Sequence, residues 1–158
     1  MGSITQVVYI SQAYDSFKES DLDDLVSVSR HNNHKYGITG AMLFLENAFI
    51  QVVEGEEIAV GHLLDKLYAD KRHHDIRIIS DQKVATRNFR NWSMGVVSPP
   101  EEDKTQVLQE IQLVKQSGES ARDLNLMMPV CQTLMMMRRL YDVNSVLQRA
   151  RGNLPARP

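Results

Sequence analysis

Cysteine occurs once in the chain, at Cys131, so neither an intrachain disulfide nor a cysteine-based zinc site is available. An excess of positive charge is also missing. With 18 Lys and Arg against 20 Asp and Glu, the formal charge of -2 argues against nucleic acid, which usually recruits a basic face. No run approaches the roughly 20 apolar residues that a membrane helix needs. The opening MGSITQVVYI lacks the charged start and long apolar core of a signal peptide, and the expected location is cytoplasmic. There is no glycine-rich phosphate loop, no internal repeat and no recognisable nucleophile–base motif, so an enzyme is not expected. His31 and His34, and the pair His73–His74, have no acidic or cysteine partner at ligand spacing, which speaks against a metal.

What is present reads as one α+β domain with an appendage. TQVVYIS alternates and is rich in β-branched residues, the signature of a strand. ESDLDDLVSVSRHNNHKYG follows as a helix, with Ser20 as expected cap, Asp23 three residues on, and Gly37 as stop. Its apolar stripe starts at Leu22, Leu25 and Val26 and continues at helical spacing through Ser29, Asn32 and Asn33, so the inner face turns polar. ITGAMLFL and AFIQVVEG form an expected hairpin closed by Glu46–Asn47. A second helix is predicted over residues 58–74, with Val60, Leu63, Leu64 and Leu67 on one side. IRIISDQKV and NWSMGVVS are read as strands four and five. This order, β-α-β-β-α-β-β, is ferredoxin-like, with two helices on one sheet face. Strands one and three are expected as parallel central neighbours joined by right-handed crossovers.

Pro99 and Pro100 end this unit. Beyond them residues 105–118 predict an amphipathic helix with Leu108, Ile111 and Val114 inward, and Pro129 opens another over VCQTLMMMRRLYDV. These C-terminal helices are expected to cover the other sheet face. The expected division is 1–98, 99–150 and a disordered tail at 151–158. The basic residues from Arg138 onward, Arg139, Arg149, Arg151 and Arg157 against Asp142, read as a solvated helix and a fraying end. Met127, Met128, Met135, Met136 and Met137 fall within eleven residues, as adaptable core filling or as a reconfigurable contact surface.

In AFIQVVEG both faces look buried, yet Gln51 puts an amide in the middle of one. A buried amide left unpaired costs roughly 1–3 kcal/mol. By parity Tyr9 shares a face with Val7 and Ser11, and if the two strands are neighbours the phenol and the amide meet beneath the helices. Asn32 and Asn33 add donors and acceptors above. Such a site suits a ligand with an apolar plate and a polar edge, and Lys66, Arg72 and His73 offer positive charge at its rim. Taken singly, Tyr9 reads as a core tyrosine, Gln51 as a satisfied amide and Asn32–Asn33 as a helix terminus. Their joint spacing carries the argument.

The segments VVYIS, SRHNNHKYGITG, FIQVVEG, DKRHH and RNFRNWSMG, in this order over about residues 4 to 97, resemble a BLUF domain, the blue-light sensor that uses flavin adenine dinucleotide. The resemblance is to the short members of the family, which signal by binding a separate partner. It implies FAD as cofactor, Tyr9 as electron and proton donor, and Gln51 as the bridge from Tyr9 to the flavin edge. Asn32 and Asn33 match positions that bond the pyrimidine end. Leu25, Ser29, Phe49, Lys66, Asp70, Arg72 and His73 match other lining positions. Trp92 and Met94, expected to share a face of strand five, match a pair linked to signalling. A separate output protein and a homo-oligomer are the expected partners, with no nucleic acid and no membrane. Two other readings stay open: a small flavin oxidoreductase, and a cofactor-free ferredoxin-like interaction module.

Overall fold

The computed structural model describes residues 2–99, 101–116 and 137–139. The elements run β1 (Ile4–Ala13), a 3-10 turn (Glu19–Asp21), α1 (Leu22–Lys35), β2 (Thr39–Leu45), β3 (Ala48–Gly55), α2 (Glu57–Ala69), β4 (His73–Val84), β5 (Gly95–Val97) and α3 (Glu101–Gln116). The helix expected from Pro129, the methionine cluster apart from Met137, and the tail at 151–158 lie outside the described residues.

The sheet order is β4-β1-β3-β2-β5. β1 and β3 are the central neighbours, but they are antiparallel, not parallel as the sequence reading had it. The reason is topological. The α1 crossover returns β2 in the direction of β1, and the tight hairpin then reverses β3 into the gap between them. Among the described residues the only parallel pair is β2 with β5. Glu46 and Asn47 both take positive φ, 47° and 62°, as a two-residue hairpin with this twist requires.

Local chemistry shifts three boundaries. Ser20 does not cap α1. Instead the Asp21 carboxylate accepts from the Lys18 amide at 2.8 Å and steadies the short turn ahead of the helix. α2 stops at Ala69, not at His74, because Asp70 turns extended and takes the Arg72 amide on its own carboxylate. His73 and His74 consequently belong to β4. Strand five contracts from the expected 91–98 to Gly95–Val97.

Side-chain parity divides the core into two layers. Val7, Tyr9, Met42, Phe49 and Val53 face α1 and α2, together with Met94. Val8, Ile10, Leu43, Ile50 and Val52 face the other way, where Phe89, Trp92, and Val107 and Ile111 of α3 cover them. Met137 is fully buried in this second layer. Arg77 of β4 donates to the Lys115 carbonyl at 2.8 Å, capping the C-terminal end of α3 against the sheet. No helix among the described residues is long and apolar enough to cross a membrane.

Candidate functional site

The two helices on the first layer stand off from the sheet. α1 fully buries only Val26 and Asn33, and α2 only Val60. Between them and the strands lies a cavity of about 570 Å³, within the range of small-molecule and cofactor sites. Its floor is Tyr9 of β1 with Phe49, Gln51 and Val53 of β3. One wall is Leu25, Ser29, Asn32 and Asn33 of α1, and the other is Leu63, Lys66 and Leu67 of α2. Asp70, Arg72, His73 and Met94 close the ends.

One rung of the sheet runs through the floor. Ile78, Tyr9, Gln51, Met42 and Val96 are successive register partners across all five strands. Gln51, 7% exposed, donates its side-chain N–H to the Met42 sulfur at 2.9 Å. A thioether is a weak acceptor, so the amide is held by a soft bond. Burial, and then the negative charge of Asp70, push the Tyr9 phenol far above the ordinary tyrosine range, so it is neutral at any working pH.

At the α2 end, Arg72 forks onto Asp70 with three side-chain contacts of 2.6–3.1 Å. Burial raises the Asp70 carboxyl, but the Arg72 hydrogen bonds and charge outweigh it and leave it below the usual carboxylate value. His73 links Ser11 Oγ at 2.9 Å to the Leu67 carbonyl at 3.0 Å. A carbonyl cannot donate, so Nε2 carries the proton there. In the neutral ring Nδ1 then accepts from the Ser11 hydroxyl. Desolvation lowers the His73 pKa and favours that neutral ring.

At the α1 end, Asn33 is 2% exposed and its Nδ2 donates to the Ser93 carbonyl at 2.7 Å. Met94 lies on this helix side, whereas Trp92 lies in the opposite layer, so the two do not share a face as expected from their spacing. The chain has not yet entered β5 at these residues, and the alternation rule does not apply. The indole occupies the space beside Gly95, where an added Cβ would sit 1.4 Å from its Cε3.

Of the thirteen residues singled out by sequence, the structure brings twelve to the cavity, and Trp92 alone lies elsewhere. Several lining residues had no role assigned, among them Tyr36, Ile38, Val53 and His62. Parity on β3 points to Val53, and Leu63 and Leu67 were legible as a helix stripe though not as a wall. Met42 was missed because only the register places it opposite Gln51. The buried Glu54 was missed too. Its carboxylate accepts from Gln6 Nε2 and from the Asn88 and Phe89 amides at 2.8–2.9 Å, which anchors the loop before β5. Among the described residues no group of side chains could hold a metal ion.

An apolar cavity lined by the Tyr9 and Ser29 hydroxyls, the Asn32, Asn33 and Gln51 amides and the Lys66 and Arg72 cations defines the class: an α+β domain with a cofactor-sized site between two helices and a sheet. Such a donor set fits a flavin ring, with apolar walls for its faces and Ser29, Asn32 and Gln51 for its polar edge. The family described as BLUF, sensors of blue-light using FAD, matches residues 4–95. The chain belongs to that family of flavin-using blue-light sensors. It is 28% identical over 93 residues to a photoactivated adenylate cyclase subunit beta of Euglena longa, covering 58% of this chain and 11% of that protein. The chain thus spans about a tenth of that relative. The solved structure of the BlsA photo-activated state is 25% identical at a TM-score of 0.68, covering 87% of this chain and 94% of that one. Klebsiella pneumoniae BlrP1, solved with FMN and cyclic diGMP, is 33% identical at a TM-score of 0.59, covering 69% and 29%.

Proposed function

We propose that Tyr9 and Gln51 are the photochemical pair and that FAD is the flavin they serve. The observation that carries this is the single sheet rung in which a neutral, buried phenol and a softly held amide are neighbours on the cavity floor. A bound flavin supplies blue-light absorption and an excited state able to oxidise a nearby phenol. Because burial disfavours a free phenolate, an electron taken from Tyr9 by the bound flavin would leave together with the phenolic proton. Gln51, which can both donate and accept, is the group placed to take and return that proton and to end with a different donor pattern. Valine has no such capacity, and a glutamate would add a buried charge.

Around this pair, Leu25, Ser29, Asn32, Asn33 and Phe49 orient the ring, and Lys66, Asp70, Arg72 and His73 hold its end. Lys66 and Arg72 give positive charge to a phosphate-bearing tail, which FMN and FAD both carry, and the family description names FAD. Trp92 and Met94 serve as the signal relay. The output then passes to the 99–150 region, whose α3 already packs behind the sheet, and on to a separate partner or a second copy of the chain. Catalysis is not part of this reading, and the single cysteine agrees with a reducing, cytoplasmic setting.

The test is an absorption spectrum of the purified chain loaded with FAD, FMN or riboflavin, before and after blue light. A reversible red shift in wild type and its loss in a flavin-loaded Gln51→Leu variant is the expected result. Full red shift in that variant overturns the mechanism.

A further inference from the structure

The segment leading into β5 is held by its main chain. Three consecutive carbonyls each accept a hydrogen bond from across the sheet edge. Trp92 O takes the Gly40 amide at 2.9 Å, Ser93 O takes Asn33 Nδ2 at 2.7 Å, and Met94 O takes Arg30 Nε at 2.8 Å. The first tie is to β2 and the other two are to α1. The side chains of the segment go opposite ways, Trp92 behind the sheet and Met94 toward the cavity. The main chain is therefore all that the two faces share. Any movement that shifts Trp92 or Met94 between layers must turn these peptide groups and break bonds among the three.

Arg30 and Asn33 are three residues apart on α1, so both project to the same side of the helix. Their roles differ. Asn33 is buried and lines the cavity, while Arg30 is exposed and is not a lining residue. A guanidinium N–H donating to a carbonyl makes a charge-assisted bond, which is stronger than a neutral one.

We propose that Arg30 is a positioning residue of the light switch, latching the Met94 carbonyl to α1. A hydrogen-bond change at the cavity then reaches residues 92–94 through α1 and its Arg30–Asn33 pair as well as through the Met94 side chain. The inference rests on the photoreceptor reading above, but its residue touches neither Tyr9 nor the cavity. Flavin photochemistry and latch movement are therefore separable.

The experiment uses the full chain loaded with FAD and two signals, the flavin red shift and the hydrogen exchange of the Gly40 amide, in the dark and under blue light. Gly40 reports directly because its N–H is bonded to Trp92 O. Arg30→Met keeps the apolar stem and removes the donors. It is expected to retain the red shift while the light-to-dark exchange ratio at Gly40, about tenfold or more in wild type, collapses to near one. Arg30→Gln, whose amide can still donate to a carbonyl, is expected to restore part of the ratio. An Arg30→Met variant with both signals as in wild type overturns the proposal, as does a wild type whose Gly40 exchange ignores light. A wild type without a red shift overturns the photoreceptor reading instead. Should Arg30→Met lose flavin, Arg30→Lys is read by the same signals. It keeps the charge but not the planar fork, so its ratio is expected to fall partway, and a wild-type ratio there also overturns the proposal.

Discussion

Gln51 donates to the sulfur of Met42, its register partner on β2, while Tyr9 faces it from β1 on the other side. The amide thus stands between a phenol and a thioether, with a weak acceptor on one side that costs little to abandon. Met42→Leu keeps the volume and removes the acceptor. It is expected to cost less than about 1.5 kcal/mol of stability, to shift the dark flavin spectrum and to change the dark-recovery rate at least severalfold. Denaturant unfolding and recovery kinetics after a blue flash check both parts.

Gly95 is a packing requirement, since its missing side chain makes room for the Trp92 ring. Gly95→Ala is expected to displace the indole and to cost about 1–3 kcal/mol, as overpacking does. Trp92 is the sole tryptophan, so its fluorescence and near-ultraviolet dichroism report the displacement directly. A Gly95→Ala chain with unchanged signals and midpoint contradicts this account.

Glu54 is fully buried, and its carboxylate collects a side-chain amide and two backbone amides. Glu54→Ala leaves Asn88 N–H, Phe89 N–H and Gln6 without their acceptor. Bonds to charged groups contribute about 1.5–3 kcal/mol each. The variant is therefore expected to unfold at clearly lower denaturant and to loosen the loop holding Trp92 and Met94, read as faster amide exchange at residues 88 and 89.

His73 makes stability depend on pH in a defined direction. Burial lowers its folded-state pKa below the ordinary 6.5. The unfolded chain therefore binds the proton first as pH falls. The contribution is fully present above 6.5 and is lost progressively as pH drops from 6.5 toward the folded-state value. Melting temperature measured from pH 8 to pH 5 should decline over that window in wild type. His73→Gln, which does not titrate, should flatten that part of the curve; an unaltered slope removes His73 as the cause.

The hairpin at Glu46–Asn47, the two helices and the strand parity of β1 and β3 were all readable, because each depends on periods and turn chemistry within a few residues. The polar drift of α1 toward Asn33 and the amide at Gln51 were readable as anomalies in otherwise apolar faces. Met42, Glu54 and Arg30 carried no such mark. A methionine in a strand, a glutamate beside a glycine and an arginine on a helix are ordinary, and only their partners make them matter. The partners lie 9, 34–48 and 64 positions away.

Of the thirteen side chains named from the sequence, most of them through the family resemblance, twelve line one cavity. Local rules reached Tyr9, Gln51, Asn32 and Asn33, because each lies on one face of one element; the other roles were implied by the resemblance. Only the tertiary structure decided that β1 and β3 run antiparallel, and that Trp92 and Met94 part to opposite sides of the sheet. It also decided that the main chain between them is tied to α1. Strand direction follows from how crossovers nest around a hairpin, and the parting of the pair follows from a turn whose bonds come from distant elements. Neither leaves a period in the chain.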